Sequence, residues 1–150
     1  MTRQPAMAKH FDHATIVVRD LDRAIAFFEL LGFAQDKSVI IKGETFSNYM
    51  GVPGIEARHV TLVLVDATPR TEMQLLNYLT PVAADDPQIG DLHKIGFNHI
   101  CFAVEDIEAA VATMAANGFT TKNRVLDFHA RKLVFLNGPE GVTVELSQWY

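Results

Sequence analysis

Cysteine is nearly absent from this chain: of 150 residues only Cys101 carries a thiol, which excludes an internal disulfide framework and suits a reducing compartment. Positive charge is in deficit too, with 13 Lys and Arg against 18 Asp and Glu for a formal net charge of −5. The basic residues are scattered, so the electrostatic footprint of a nucleic-acid or anionic-membrane binder is missing. No apolar run approaches the ~20 residues needed to span a bilayer, and the opening Met1-Thr2-Arg3-Gln4-Pro5-Ala6-Met7 lacks the apolar centre of a signal peptide. The expected location is the cytoplasm and the expected partner a small molecule, with no nucleic acid and no membrane. What is abundant is apolar residue, 49% of the chain, enough to bury the core of one domain. The polar start should be loose as far as about Lys9.

Two stretches repeat one pattern. Phe11-Asp12-His13 through Asp20 and Phe97-Asn98-His99 through Asp106 align at a constant offset of 86, which also pairs Gly32-Phe33 with Gly118-Phe119 and needs no gap over 23 positions. A gapless match of this kind indicates two copies of one structural unit, each opening on a histidine-bearing strand that runs into a helix. The expected layout is a single domain over 1–150, with a first module at about 9–80, a linker at about 81–95 and a second module at about 96–150.

Residues 13–18 are apolar or β-branched, as in a strand buried on both faces or nearly so. Asp20 is placed to cap a helix in which Leu21, Ala24, Ile25, Phe28 and Leu31 recur at the three-four spacing, with Gly32 as its stop. A short strand at 39–41 precedes Gly43 to Gly54, a segment rich in turn formers that predicts a loop. That loop carries Phe46, Tyr49 and Met50, aromatic and apolar side chains that can cover a pocket or simply pin the loop. Strands follow at 60–65 and 72–78, and Pro81, Asp85, Asp86, Pro87 and Gly90 mark the linker. The second copy repeats the plan with a strand from Phe97, a helix at 107–117, and strands near 121–126, 131–136 and 142–148. The expected fold class is α+β: two tandem β-α-β-β-β modules whose curved mixed sheets enclose a cavity.

Alternation along a strand puts His13 on one face with Thr15 and Val17, and His99 with Cys101 and Ala103. The bulkier Ile100, Phe102 and Val104 should lie under a helix, which leaves both histidines on the opposite face. Imidazole is a common ligand of divalent transition metals, and the last strand of each module offers a polar residue between apolar neighbours, Gln74 and Glu145. Each of these four residues alone is more often hydrogen-bonded core or solvated surface than a ligand. At equivalent positions of a duplicated unit, a shared metal ion would remove the roughly 1–3 kcal/mol that each buried unpaired polar group costs. Thr15 and Cys101 would line the cavity, Cys101 as a wall rather than a nucleophile. Arg131, with His129, is a candidate for binding an anionic group at the pocket mouth.

In this order, the residues resemble the vicinal oxygen chelate superfamily, which includes glyoxalase I, methylmalonyl-CoA epimerase, extradiol dioxygenases and fosfomycin resistance enzymes. The resemblance runs from Phe11 to Tyr150, and its most specific marks are the stretches at His13 and His99 and the ending Gly141-Val142-Thr143-Val144-Glu145-Leu146. It implies paired β-α-β-β-β modules and one divalent metal (Co, Ni, Mn, Zn or Fe) held by His13, Gln74, His99 and Glu145. It further implies proton abstraction next to a carbonyl, by way of a metal-stabilised enediolate of a small carbonyl or thioester substrate, in a homodimer. Glyoxalase I usually has glutamate where this chain has Gln74, and glutamine there is more like some methylmalonyl-CoA epimerases. Glu145 is the candidate base. The epimerases use a separate glutamate on an earlier strand, and the matching strand Arg58 to Val65 has no carboxylate; His59 can substitute, or be an ordinary surface histidine.

Two other functions share these residues. An extradiol iron dioxygenase needs only two histidines and a carboxylate, which His13, His99 and Glu145 supply, and a coordinating Gln74 would count against it. An antibiotic resistance protein of the same fold is the third reading. Reading position 74 as a metal ligand alone predicts that Gln74→Glu would hold metal at least as tightly.

Overall fold

The computed structural model describes residues 2–150. The two copies begin their helices alike. α1 (Leu21–Leu30) starts at Asp20, whose carboxylate accepts the Arg23 N–H at 3.1 Å, and α3 (Ile107–Ala116) starts at Asp106, which accepts from Ala109 N–H at 3.0 Å. Each side chain satisfies a backbone donor that a first helical turn leaves without a partner. The exits match as well. Gly32 (φ 101°) and Gly118 (φ 84°) both take the positive φ that a residue with a Cβ adopts only under strain, and Phe33 and Phe119 that follow are both buried.

Around the helices lie two separate four-stranded sheets. The first is built from β1 (His13–Val17), β2 (Phe33–Lys42), β3 (Glu56–Leu64) and β4 (Glu72–Thr80) in the order β1-β4-β3-β2; the second from β5 (Ile100–Ala103), β6 (Leu126–Phe128), β7 (Arg131–Asn137) and β8 (Thr143–Trp149) in the order β5-β8-β7-β6. In each, the opening strand pairs parallel with the last and the other pairings are antiparallel. Each is thus an open mixed sheet with the connectivity of a β-α-β-β-β module. Residues 81–99 form neither helix nor strand, so the strand expected from Phe97 begins only at Ile100.

By compactness the chain divides into two units that cut across the repeat. The first holds the chain up to Val18 together with Gly32–Val82, and the second holds Arg19–Leu31 together with Ala83–Tyr150. Helix α1, first-module in sequence, therefore belongs with the second unit. The aromatic packing gives the reason. Phe27 meets Phe119 edge-on at 5.0 Å between centroids, and Phe28 meets Phe102 at 6.4 Å. Arg23 stacks over the Phe119 ring at 4.4 Å and donates to the Gly118 carbonyl just past the C-terminus of α3. Phe27, Phe28, Ile107, Met114, Val134, Leu136, Val144 and Leu146 form this unit's buried core. Phe102 carries the apolar face under a helix, as alternation requires. In the first unit Val60, Leu62, Met73 and Leu75 are buried on one face of the sheet.

Four further elements differ from the sequence expectation. β1 is an edge strand, with His13, Thr15 and Val17 exposed and Ala14 and Ile16 only half-buried, so its apolar run does not mean burial on both faces. β2 extends to ten residues, from Phe33 to Lys42. The segment predicted as a loop contains helix α2 (Glu44–Met50), bracketed by Gly43 (φ 95°) and Gly51 (φ 67°); the glycines are its boundaries, and the Ser47 hydroxyl ties it to Ile55 N–H at 3.3 Å. The strand expected at 121–126 shrinks to a single bridge, Thr121 to Leu136, before β6 begins at Leu126, because Asn123 holds Phe135 N–H with its side chain instead of its backbone. Among the described residues no helix is long and apolar enough to cross a membrane.

Candidate functional site

Strand register places the two halves of the expected ligand set equivalently. Thr15 lies opposite Gln74 across the β1–β4 pair, and Cys101 lies opposite Glu145 across the β5–β8 pair. Because paired residues share a face, the first unit has His13, Thr15, Glu72 and Gln74 on one face together with Thr61 and His59 of β3. The second has Cys101, Glu145 and Phe135 on one face, extended by Ser147 and Leu133 and then by Trp149 and Arg131. Among the described residues no group of three or more His, Cys, Asp or Glu side chains converges as a metal cluster; of the expected ligands, His99 and Glu145 meet within the second unit.

Both histidines are held by the residue before them. His13 Nδ1 is 2.6 Å from Asp12 Oδ1, and His99 Nδ1 is 2.7 Å from Asn98 Oδ1. Asp12 can only accept when ionised, and the hydrogen bond to His13 holds its carboxyl below the usual carboxylate range. Asn98 donates its amide N–H to Leu92 O at 2.8 Å, which points its oxygen at His99. The network therefore assigns a proton to Nδ1 of both rings, which in the neutral imidazole makes Nε2 the lone-pair nitrogen, the arrangement that orients metal-ligating histidines.

The consequence is sharpest in the second unit. His99 Nε2 faces Glu145 Oε1 at 3.3 Å, and both side chains are largely withdrawn from solvent, at 30% and 15% exposed. A bare ring nitrogen and a carboxylate oxygen repel unless a proton or a cation lies between them. The pair's donor chemistry therefore fits a divalent metal. Phe135 packs edge-on against the His99 ring at 5.1 Å. Cys101, exposed beside Glu145, has its thiol pushed up chiefly by desolvation, a shift partly offset by a hydrogen bond to Ser147 and reinforced by Glu145. It stays neutral.

In the first unit Gln74 sits at the centre of a polar chain. Its Oε1 is 3.1 Å from His59 Nε2, its Nε2 donates to Glu72 Oε1 at 3.0 Å, and Glu72 accepts from Arg70 Nε at 2.7 Å while Arg70 also binds Asp36 at 2.8 Å. The Arg70 hydrogen bond, followed by that from Gln74, keeps the Glu72 carboxyl below its ordinary range. Since Glu72 accepts from the amide nitrogen, the amide orientation is settled and His59 must donate to Oε1. A carbonyl oxygen has two lone pairs, so Oε1 retains one for a metal.

The remaining candidates divide. Phe46, Tyr49 and Met50 lie on α2 and are exposed, Tyr49 at 84%. Beyond α2, Val52 and Ile55 pack with Ile41, Ala57, Leu76 and Tyr78, and Ala57 and Leu76 continue the His59 face. Arg131 lies over the Trp149 ring at 4.3 Å with its Nε buried and unpartnered. His129 stacks on Phe128 at 4.0 Å, at positive φ.

Three features escaped the sequence reading. His59 is no surface residue at a strand start but a half-buried partner of Gln74 inside β3. Glu72 was legible as the second polar residue of the alternation Glu72-Met73-Gln74, and Asp12 and Asn98 as a polar residue before each repeated histidine.

The chain is built from a duplicated β-α-β-β-β unit with a histidine at the start of each opening strand and an amide or carboxylate on each closing strand. The chain belongs to the glyoxalase/bleomycin resistance protein/dioxygenase superfamily, whose family model matches residues 12–135. It is 28% identical to lactoylglutathione lyase of Schizosaccharomyces pombe over 139 residues, 91% of this chain but 44% of that enzyme, so it spans under half of that relative's length. It is likewise 28% identical to ethylmalonyl-CoA/methylmalonyl-CoA epimerase of Cereibacter sphaeroides over 150 residues, covering 95% of this chain and 99% of the relative. A glyoxalase family protein of Bacillus cereus has the same fold, with a TM-score of 0.87 at 24% identity over 99% of both chains.

Proposed function

We propose that His13, Gln74, His99 and Glu145 hold one divalent metal ion and that the protein is a lyase or isomerase, moving a proton at the carbon beside the carbonyl of a small carbonyl or thioester substrate. The observation that carries this reading is the lone-pair confrontation of His99 and Glu145 at 3.3 Å, with His13 held in the same tautomer. A divalent ion would supply Lewis acidity toward adjacent substrate oxygens, stabilising the negative charge that develops as the proton leaves.

The chain's own residues supply the rest. Glu145, against the Phe135 wall and mostly out of water, is placed to accept a proton. His59 donates through Nε2 to Gln74, so its Nδ1 keeps a lone pair and offers a second acceptor. Gln74, aligned by hydrogen bonds at both ends of its amide, supports a four-ligand site over the three-ligand set of an extradiol oxygenase.

The test is calorimetric titration of the metal-free protein with Mn²⁺, Co²⁺, Ni²⁺ and Zn²⁺, alongside His13→Ala and His99→Ala. Loss of binding in both variants is expected, and unchanged affinity would overturn the site. Deuterium wash-in from heavy water, with methylmalonyl-type thioesters and with methylglyoxal–thiol adducts, then reads out the proton transfer directly.

A further inference from the structure

We infer that the site face of the second unit takes a substrate carrying a free carboxylate, which Arg131 binds while stacked on Trp149. This rests on the reading of the Glu145 face as the one that meets substrate, and it adds the substrate's charge.

Arg131 opens β7 directly opposite Trp149, and the pairs Leu133–Ser147 and Phe135–Glu145 continue the same face. Four residues of strand, about 13 Å between Cα positions, separate Arg131 from Phe135, and the long side chain spans part of that. The Arg131 Cζ lies 4.3 Å from the centre of the Trp149 ring, so the indole fixes the plane of the guanidinium without neutralising it.

Apart from Arg3 and Arg124, the other arginines are spoken for. Arg19 donates to Asp85, Arg23 to the Gly118 carbonyl, Arg58 to Asn77, and Arg70 to Glu72 and Asp36. Arg131 forms no ion pair among the described residues, and its Nε is buried without an acceptor. Proteins seldom leave a buried donor unpaired or a half-buried cation without an anion unless something else uses it. The residue is only partly covered, which leaves guanidinium N–H groups for a ligand.

The available charge selects the kind of anion. Lys132, next along the strand, points to the other face and lies 3.6 Å from Glu108, so Arg131 has no lysine or arginine neighbour on its own face of the strand. A single planar fork matches a monoanionic, planar carboxylate; a phosphate dianion is better met by several cations.

Trp149 is the chain's only tryptophan, so its emission reports ligand arrival at Arg131. The parent protein, freed of metal with chelator, would be titrated with malonamate (one carboxylate), malonamide (its neutral counterpart) and inorganic phosphate. Saturable change with malonamate and none with malonamide is expected. Arg131→Met should weaken malonamate binding about tenfold or more, with Arg131→Lys intermediate because it keeps charge but not the fork. Equal binding of malonamide, tighter binding of phosphate, or undiminished malonamate affinity in a folded Arg131→Met protein would overturn the inference. The malonamate–malonamide contrast needs no variant, so a poorly folding one does not spare it. His99→Ala should leave this fluorescence response intact while removing metal, so failure of the metal site and failure of the carboxylate site give different results.

Discussion

The two halves of the duplicated unit have kept their geometry and exchanged their chemistry. Gln74 is flanked by Glu72 on its own strand and by Thr61 and His59 across β3, whereas Glu145 is flanked by Thr143 and by Phe135 and Leu133 across β7. Every polar group around Gln74 that can be satisfied is, through a chain running from His59 to Asp36. Around Glu145 the surroundings are less polar and less fully satisfied: Thr143 is fully buried with its hydroxyl unpartnered, while the carboxylate meets the Cys101 thiol and faces His99 Nε2 at 3.3 Å. One half is an extended polar network and the other a single histidine–carboxylate contact beside a thiol. Duplication conserves where a side chain stands, and divergence decides what surrounds it.

The largest effect that would break this contrast concerns the residues behind the histidines. Asp12→Ala and Asn98→Ala each remove the acceptor that sets the ring's tautomer, and metal affinity should fall about 10–100-fold in each. The Asp12 variant should fall further, because its bond is charge-assisted and the Asn98 bond is neutral. Calorimetric titration with Co²⁺ or Zn²⁺ measures both, and equal affinity to the parent in either would mean that the corresponding ring is not a ligand.

A second, smaller effect concerns the stability of Gln74→Glu, a change that ligand chemistry alone expects to hold metal at least as tightly. Gln74 Nε2 donates to Glu72 Oε1 at 3.0 Å. A glutamate there would keep an acceptor for His59 but replace that donor with a second carboxylate facing Glu72. The expected cost is roughly 1–3 kcal/mol of stability, the usual loss when a part-buried hydrogen bond is broken and one partner stranded. Glu72→Gln in the same chain should recover most of it. Denaturant unfolding of the single and double variants decides the point, and an unperturbed Gln74→Glu protein would remove Glu72 from the account.

Much of the fold was legible because the repeat carries its own punctuation: Asp20 and Asp106 open helices, Gly32 and Gly118 close them, and these four residues obey local rules that tertiary context did not override. The expected ligands were legible as polar residues at equivalent strand positions, and register placed Gln74 and Glu145 alike. What escaped depends on neighbours far apart in sequence. The contact of His59 with Gln74 spans 15 residues and that of Arg70 with Asp36 spans 34, and no local pattern announces a cross-strand partner. Helix α2 was hidden because the glycines that bound it are the same residues that signal a loop. The grouping of α1 with the second unit was invisible for a related reason: Phe27 and Phe28 fit any apolar helix face, and only tertiary packing chooses Phe119 and Phe102 as their partners.

That grouping leads to the smallest effect and the most discriminating one for the folding of the repeat. Asp20→Ala and Asp106→Ala each remove one helix cap, and each should cost about 1 kcal/mol. If helices followed the sequence repeat, the first substitution would loosen β1–β4 and the second β5–β8. The compact units assign both helices to the second unit, with α1 tied to residues around α3 by the Phe27–Phe119 contact and by Arg23 on Gly118. Both substitutions should therefore lower amide-exchange protection in the same elements, α1, α3 and β5 through β8, and leave β3 and β4 less affected. Hydrogen exchange followed by mass spectrometry resolves the two outcomes peptide by peptide. Loss of protection in β3 and β4 on Asp20→Ala, with β7 and β8 unchanged, would return α1 to the module its sequence comes from.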